Sequence, residues 1–166
     1  MHLHRIEGLA EQYLYFNDDM FPVRDCSPED FFRQGRPVIR FTSHFLPSGM
    51  YKKICRNSDR LAAMLAGRKP SMCFVRPQHI CSPMLKSVCT DIYSRITDSL
   101  PSSCTLLRTE ENCNQYLFLD YMYYMGMVIN EKISNKHISV GIASADAVRK
   151  FLLNPTRDMV CINDVH

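Results

Sequence analysis

No apolar run in this 166-residue sequence approaches the ~18 to 20 residues needed to cross a bilayer. The longest, Tyr116 to Ile129, is interrupted by Asp120 and Gly126, so no membrane span is expected. The N-terminal Met-His-Leu-His-Arg-Ile-Glu has no apolar stretch followed by small residues, and without a secretory signal the expected location is the cytoplasm. Eight cysteines are present but no Cys-x-x-Cys pair, which argues against a structural zinc site and, in a cytoplasm, for reduced thiols. Lys and Arg total 20 against 17 for Asp and Glu; so small and scattered an excess gives no basic face for nucleic acid. Also missing are Gly-x-Gly-x-x-Gly, the phosphate-binding Gly-x-x-x-x-Gly-Lys-Ser/Thr, His-Glu-x-x-His and Gly-x-Ser-x-Gly. The common dehydrogenase, ATPase, zinc-protease and hydrolase classes therefore lose their usual support. Low-complexity segments, tandem repeats and an interdomain linker are absent as well, and residues 1–166 read as one domain.

What is present is ordinary globular composition, 46% hydrophobic and 22% charged. Leu3, Ile6 and Leu9 or Ala10 fall at helical spacing, and Tyr13 to Phe16 is a short β-prone run. Ser27-Pro28-Glu29-Asp30 predicts a short helix, with a capping residue before a proline and two acids. A second helix is expected from Asn57 or Ser58 to Leu65, closed by Gly67. Ser82-Pro83 predicts the start of a third, with Leu85, Val88, Ile92 and Ile96 on one face, and Asn112 the cap of a fourth. Ile138 to Ile142 reads as a strand, Ser144 to Leu153 as a helix stopped by Asn154-Pro155, and Met159 to Ile162 as a last strand.

Two apolar runs end alike, Leu14-Tyr15-Phe16-Asn17-Asp18-Asp19 and Met159-Val160-Cys161-Ile162-Asn163-Asp164. Carboxylates at strand ends lie where ligands collect in open α/β sheets, and they hold a divalent metal or take a proton from a hydroxyl nucleophile. Asn and Asp also simply start turns after strands. His79 follows Pro77 just before the Ser82-Pro83 helix start, whose N-terminal end favours anions. Lys86, and Arg108 before the fourth helix, are suited to clamp a diphosphate. His2, His4, His44, His137 and His166 show no ligand spacing, and the Tyr and Met cluster from Tyr116 to Met127 suits a core.

The stretch His2 to Phe21, followed by Ser27-Pro-Glu-Asp-Phe-Phe32, resembles the second conserved block of the Stealth family, which contains bacterial capsular-polysaccharide phosphotransferases and animal N-acetylglucosamine-1-phosphotransferase. Pro77-Gln-His79, Lys86-Ser87, Leu107-Arg108, Asp120-Tyr121, Tyr123-Tyr124 and Gly126 are similar to its third block, and Cys161-Ile-Asn-Asp164 to its fourth. The resemblance implies an α/β, Rossmann-like core with a mostly parallel sheet. It also implies transfer of a hexose-1-phosphate from a UDP-hexose type donor to a glycan hydroxyl, with release of UMP, in capsular or exopolysaccharide biosynthesis. Asp18, Asp19, His79, Arg108 and Asp164 would be catalytic, and Asn17, Lys86 and Asn163 would bind substrate. Asp19 and Asp164 would hold Mg²⁺ or Mn²⁺; which acid is base and which is ligand stays open.

The family's first block, an aspartate-containing strand with a tryptophan, has no counterpart in a sequence without Trp. The expectation is a partial domain, incomplete at its N-terminus, that self-associates through an exposed sheet edge. Two rival expectations accompany it. One is an inactive remnant or glycan-binding module of the same fold, and the other a metal-dependent phosphohydrolase with water as nucleophile.

Overall fold

The computed structural model describes residues 2–96 and 107–163. Nine strands and four α-helices are present among them, so the α/β expectation holds. The strands are β1 Gln12–Tyr15, β2 Met20–Pro22, β3 Phe32–Arg33, β4 Arg36–Pro37, β5 Phe41–His44, β6 Phe74–Pro77, β7 Ser82–Leu85, β8 Asn135–Ser139 and β9 Met159–Asn163. The helices are α1 Gly49–Leu65, α2 Lys86–Ile96, α3 Tyr116–Tyr124 and α4 Ala145–Leu153.

A mostly parallel, Rossmann-like sheet is not what these strands form. β1 pairs with β7, β3 with β4 and β5 with β6, all antiparallel, and β9 lies between antiparallel β2 and parallel β8. The parallel pair closes a β8–α4–β9 unit, which the sequence read correctly as strand, helix, strand. Ser144 caps α4 by accepting a hydrogen bond from the Ala147 amide at 3.3 Å, which satisfies one of the unpaired donors of the first turn.

Other local signals yield to longer-range pairing. Ser82-Pro83 does not start a helix: Pro83 lies opposite Leu14 in an antiparallel ladder, and α2 begins only at Lys86. α1 begins at Gly49, earlier than expected, where a φ of 75° admits glycine at little cost. Residues 3–5 and 28–30 each form a single 3-10 turn rather than a helix.

The main core lies where α1 packs on α3 over β5 and β6, with Ile39, Ala62, Phe74, Ile92, Leu117, Leu119 and Met122 essentially buried. Of the cluster from Tyr116 to Met127, Tyr116 and Met122 are core as expected, Tyr121, Tyr123, Tyr124 and Met127 pack against it half-buried, and Met125 is exposed. A second core, with Met20, Ile80, Cys81, Ile133, Met159 and Cys161, lies beneath the β2–β9 pair. No described helix is long and apolar enough to cross a membrane.

Candidate functional site

The pairing of β2 with β9 brings Asn17-Asp18-Asp19 beside the end of β9, where Asn163 lies. Because the pair is antiparallel, with Met20 opposite Cys161, the residue before β2 falls beside the end of β9. The Ile162 amide donates to the Asp19 carbonyl at 2.7 Å, and the Cys161 thiol donates to Asp19 Oδ2 at 3.2 Å. A cleft of about 1500 Å³ opens here, and its lining includes Asn17, Asp18, Asp19, His79, Arg108 and Asn163. Six of the eight residues singled out from sequence thus share one wall system. Lys86 is not among the lining residues; its Nζ donates instead to the Leu9 carbonyl at 3.3 Å. Asp164 lies outside the described residues.

His79 is half-buried between β6 and β7 and is held at both ring nitrogens. Nε2 lies 3.7 Å from Asp19 Oδ2, and Nδ1 lies 2.8 Å from the Tyr116 hydroxyl. The Tyr51 hydroxyl closes the group, 3.1 Å from that of Tyr116. Burial lowers the His79 pKa from its ordinary value, and the neighbouring His137 and Arg76 lower it too; Asp19 opposes them. The balance keeps the imidazole neutral near pH 7. Burial pushes the Cys161 thiol up to about 12, and the bonded Asp19 carboxylate adds to the shift. Among the described residues Asp19 Oδ1 is buried without a hydrogen-bond partner, an expensive arrangement for a carboxylate oxygen.

The His79 loop is fixed from behind by Gln78. Its side-chain amide donates to the Ile133 carbonyl at 2.8 Å and accepts from the Ile133 amide at 3.1 Å, while its backbone N–H bonds to the Arg40 carbonyl at 2.7 Å.

Cys161, Tyr116 and Tyr51 are participants that sequence reading did not single out. Cys161 stood inside a quoted motif, directly before Ile162-Asn163, and that position was the available signal. Tyr116 was read as core, correctly, yet its hydroxyl reaches the cleft from a ring that is 1% exposed.

The expected Mg²⁺ or Mn²⁺ was to be shared by Asp19 and Asp164. Among the described residues, the ligand atoms gathered at Asp19 are those of His79 and Cys161, all three within 4.8 Å of one another. Mg²⁺ takes oxygen ligands in near-octahedral geometry, and Mn²⁺ shares the preference for carboxylate and water. A thiol and an imidazole do not supply that shell, so Asp19, His79 and Cys161 alone do not make the expected site, whose second ligand, Asp164, lies outside the described residues.

Carboxylates, a neutral imidazole and a guanidinium around one open cleft suit proton transfer beside a bound oxyanion. The comparisons with known proteins point the same way. The chain is 26% identical over 199 aligned residues to a receptor polysaccharide phosphotransferase of Streptococcus gordonii, covering 99% of this chain and 59% of that protein. It is 50% identical over 48 residues to an exopolysaccharide phosphotransferase of Streptomyces coelicolor, 28% of this chain and 9% of that one. A shorter match, 43% over 35 residues, covers 21% of this chain and 3% of the N-acetylglucosamine-1-phosphotransferase alpha/beta subunits of Mus musculus. No family model matches the chain. The chain is thus similar in sequence to capsular and exopolysaccharide phosphotransferases, in one case over nearly its whole length. It spans less than two thirds of the length of each of these three proteins.

Proposed function

We propose that this chain forms part of a sugar-1-phosphate transferase of capsular or exopolysaccharide synthesis. In this reading it moves a hexose-1-phosphate from a UDP-hexose type donor to a glycan hydroxyl and releases UMP. The observation that carries the reading is the single cleft that unites Asp18, Asp19, His79 and Arg108.

The acceptor hydroxyl oxygen attacks the phosphorus that bears the hexose. A new oxygen–phosphorus bond forms, the bond from that phosphorus to the UMP oxygen breaks, and the pair of electrons leaves with UMP. Asp18 takes the hydroxyl proton. It is the exposed carboxylate of the pair, whereas Asp19 Oδ2 is already engaged by the Cys161 thiol and lies beside His79. Arg108 and His79 face the diphosphate, where charge spreads over the phosphoryl oxygens in the transition state. Asn17 and Asn163, at the ends of the two motifs, line the same cleft and orient donor and acceptor.

The test is UMP release by the chain given a panel of UDP-hexoses and an acceptor glycan, with phosphorus analysis of the glycan product. Acceptor-dependent UMP with phosphodiester-linked hexose supports the reading. Release of inorganic phosphate or free sugar phosphate without acceptor would replace it with a phosphohydrolase.

A further inference from the structure

We propose that Asp19 Oδ2, His79 Nε2 and Cys161 Sγ form a binding site for one divalent transition ion of the Zn²⁺ or Co²⁺ class, open toward the cleft. This goes beyond the transferase reading, because the site stands on its donors whether or not the cleft accepts a nucleotide sugar.

Spacing is the first argument. Ligands at ~2.0 to 2.3 Å around a tetrahedral ion lie roughly 3.3 to 3.8 Å from one another. Asp19 Oδ2 is 3.7 Å from His79 Nε2 and 3.2 Å from Cys161 Sγ, and no pair of the three exceeds 4.8 Å.

Chemistry is the second. One carboxylate oxygen, one imidazole nitrogen and one sulfur are the donor mix of a borderline-soft ion, and three protein ligands with a fourth position open characterise reactive rather than structural zinc sites. Coordination replaces the thiol proton, which leaves to water. Asp19 and His79 are each 23% exposed, so the ion has an approach from the cleft, while Cys161 closes the inner side at 0% exposure.

The surroundings are the third. Metal-bound histidines commonly give their other ring N–H to a fixed acceptor. The Tyr116 hydroxyl, 2.8 Å from His79 Nδ1, is placed to accept from Nδ1–H once Nε2 takes the ion. The partnerless, buried Asp19 Oδ1 is a further sign that this carboxylate lacks a neighbour its environment was built to include.

The experiment is a Co²⁺ titration of the chelator-treated chain in a buffer with a thiol-free reductant. One equivalent is expected to produce a near-ultraviolet sulfur-to-cobalt charge-transfer band that Zn²⁺ abolishes and Mg²⁺ in large excess does not. Cys161→Ser should remove the band, Asp19→Asn and His79→Ala should weaken binding, and Tyr116→Phe, acting through His79, should weaken it ~10- to 100-fold. Cys73→Ser and His44→Ala should leave the band intact. Should Cys161→Ser fail to fold, the wild-type chain still decides: an upward shift of its thermal midpoint with Zn²⁺ but not Mg²⁺ supports the site. Absence of a band in the wild-type chain, its persistence in Cys161→Ser, or displacement of Co²⁺ by Mg²⁺ overturns it. UMP release is scored separately, so a chain that binds Co²⁺ and makes no UMP keeps the site and loses the transferase reading.

Discussion

Two groups of carboxylates in this chain show how placement decides what an acid does. Asp18 and Asp19 stand at the end of an apolar strand and face a cleft that also holds His79 and Arg108. Asp59 and Asp120 lie 1% and 0% exposed in the core between α1 and α3. Asp59 earns its burial structurally: its Oδ1 accepts from the Val75 amide at 3.0 Å and from the Tyr124 hydroxyl at 2.6 Å, tying α1 to both β6 and α3. Among the described residues Asp120 has no partner at either oxygen. Burial, with the nearby charge of Asp59, drives its pKa well above the ordinary carboxylate value, which favours the protonated form in the core. Acids next to a cleft are thus available for chemistry, and those between helices are part of the packing.

Four measurements test whether placement divides these acids in this way. The largest effect belongs to the cleft: Asp18→Asn should lower UMP release by ~10² to 10⁴, the usual cost of losing a positioned base, with thermal stability unchanged. Near-normal turnover in that variant would reduce the strand-end acids to turn formers. Next, Asp59→Ala strands a half-buried N–H and a half-buried hydroxyl, and denaturant unfolding should register ~1 kcal/mol for each.

A subtler outcome concerns pH. Because the folded-state pKa of Asp120 is raised, the native chain binds a proton that the unfolded chain releases. The stability this represents is complete below the unfolded carboxylate value near 3.8 and is lost as pH climbs from there toward the folded value. Asp120→Asn should flatten that part of the stability profile, and an unaltered slope would show that Asp120 does not titrate as described. The smallest effect is expected from His44→Ala, whose ring stacks on Phe74 away from the cleft and should leave turnover within error of wild type.

Which parts of this architecture were legible follows from the range of the interactions. Ser144 and the α4 helix were readable because a cap and its helix are neighbours in sequence. Asn17-Asp18-Asp19 was readable as a candidate because strand-end acids carry a local pattern, and the cleft it lines is what the structure adds. Ser82-Pro83 misled for the same reason: its local signature is that of a helix start, and only the ladder with β1 makes it a strand. The parallel sheet was an expectation of resemblance, and strand order is set by contacts between distant segments. Cys161 could not be paired with Asp19 by any spacing rule, since 142 positions separate them and β2 pairing with β9 closes the gap.

The side chain of Gln78 behaves as a rung of sheet made from an amide. By clasping both the N–H and the C=O of Ile133, and also reaching Asn135 Oδ1 at 2.6 Å, it fastens the segment bearing His79 to the edge from which β8 departs. β8 in turn carries β9, and β9 carries Cys161. The imidazole and the thiol therefore belong to one mechanical linkage, and a thermal opening that frees one displaces the other. Deuterium uptake at the Ile133 amide is a strain gauge for the whole assembly: it should be slow in the native chain, and quicken together with uptake along β8 once Gln78 is shortened to alanine.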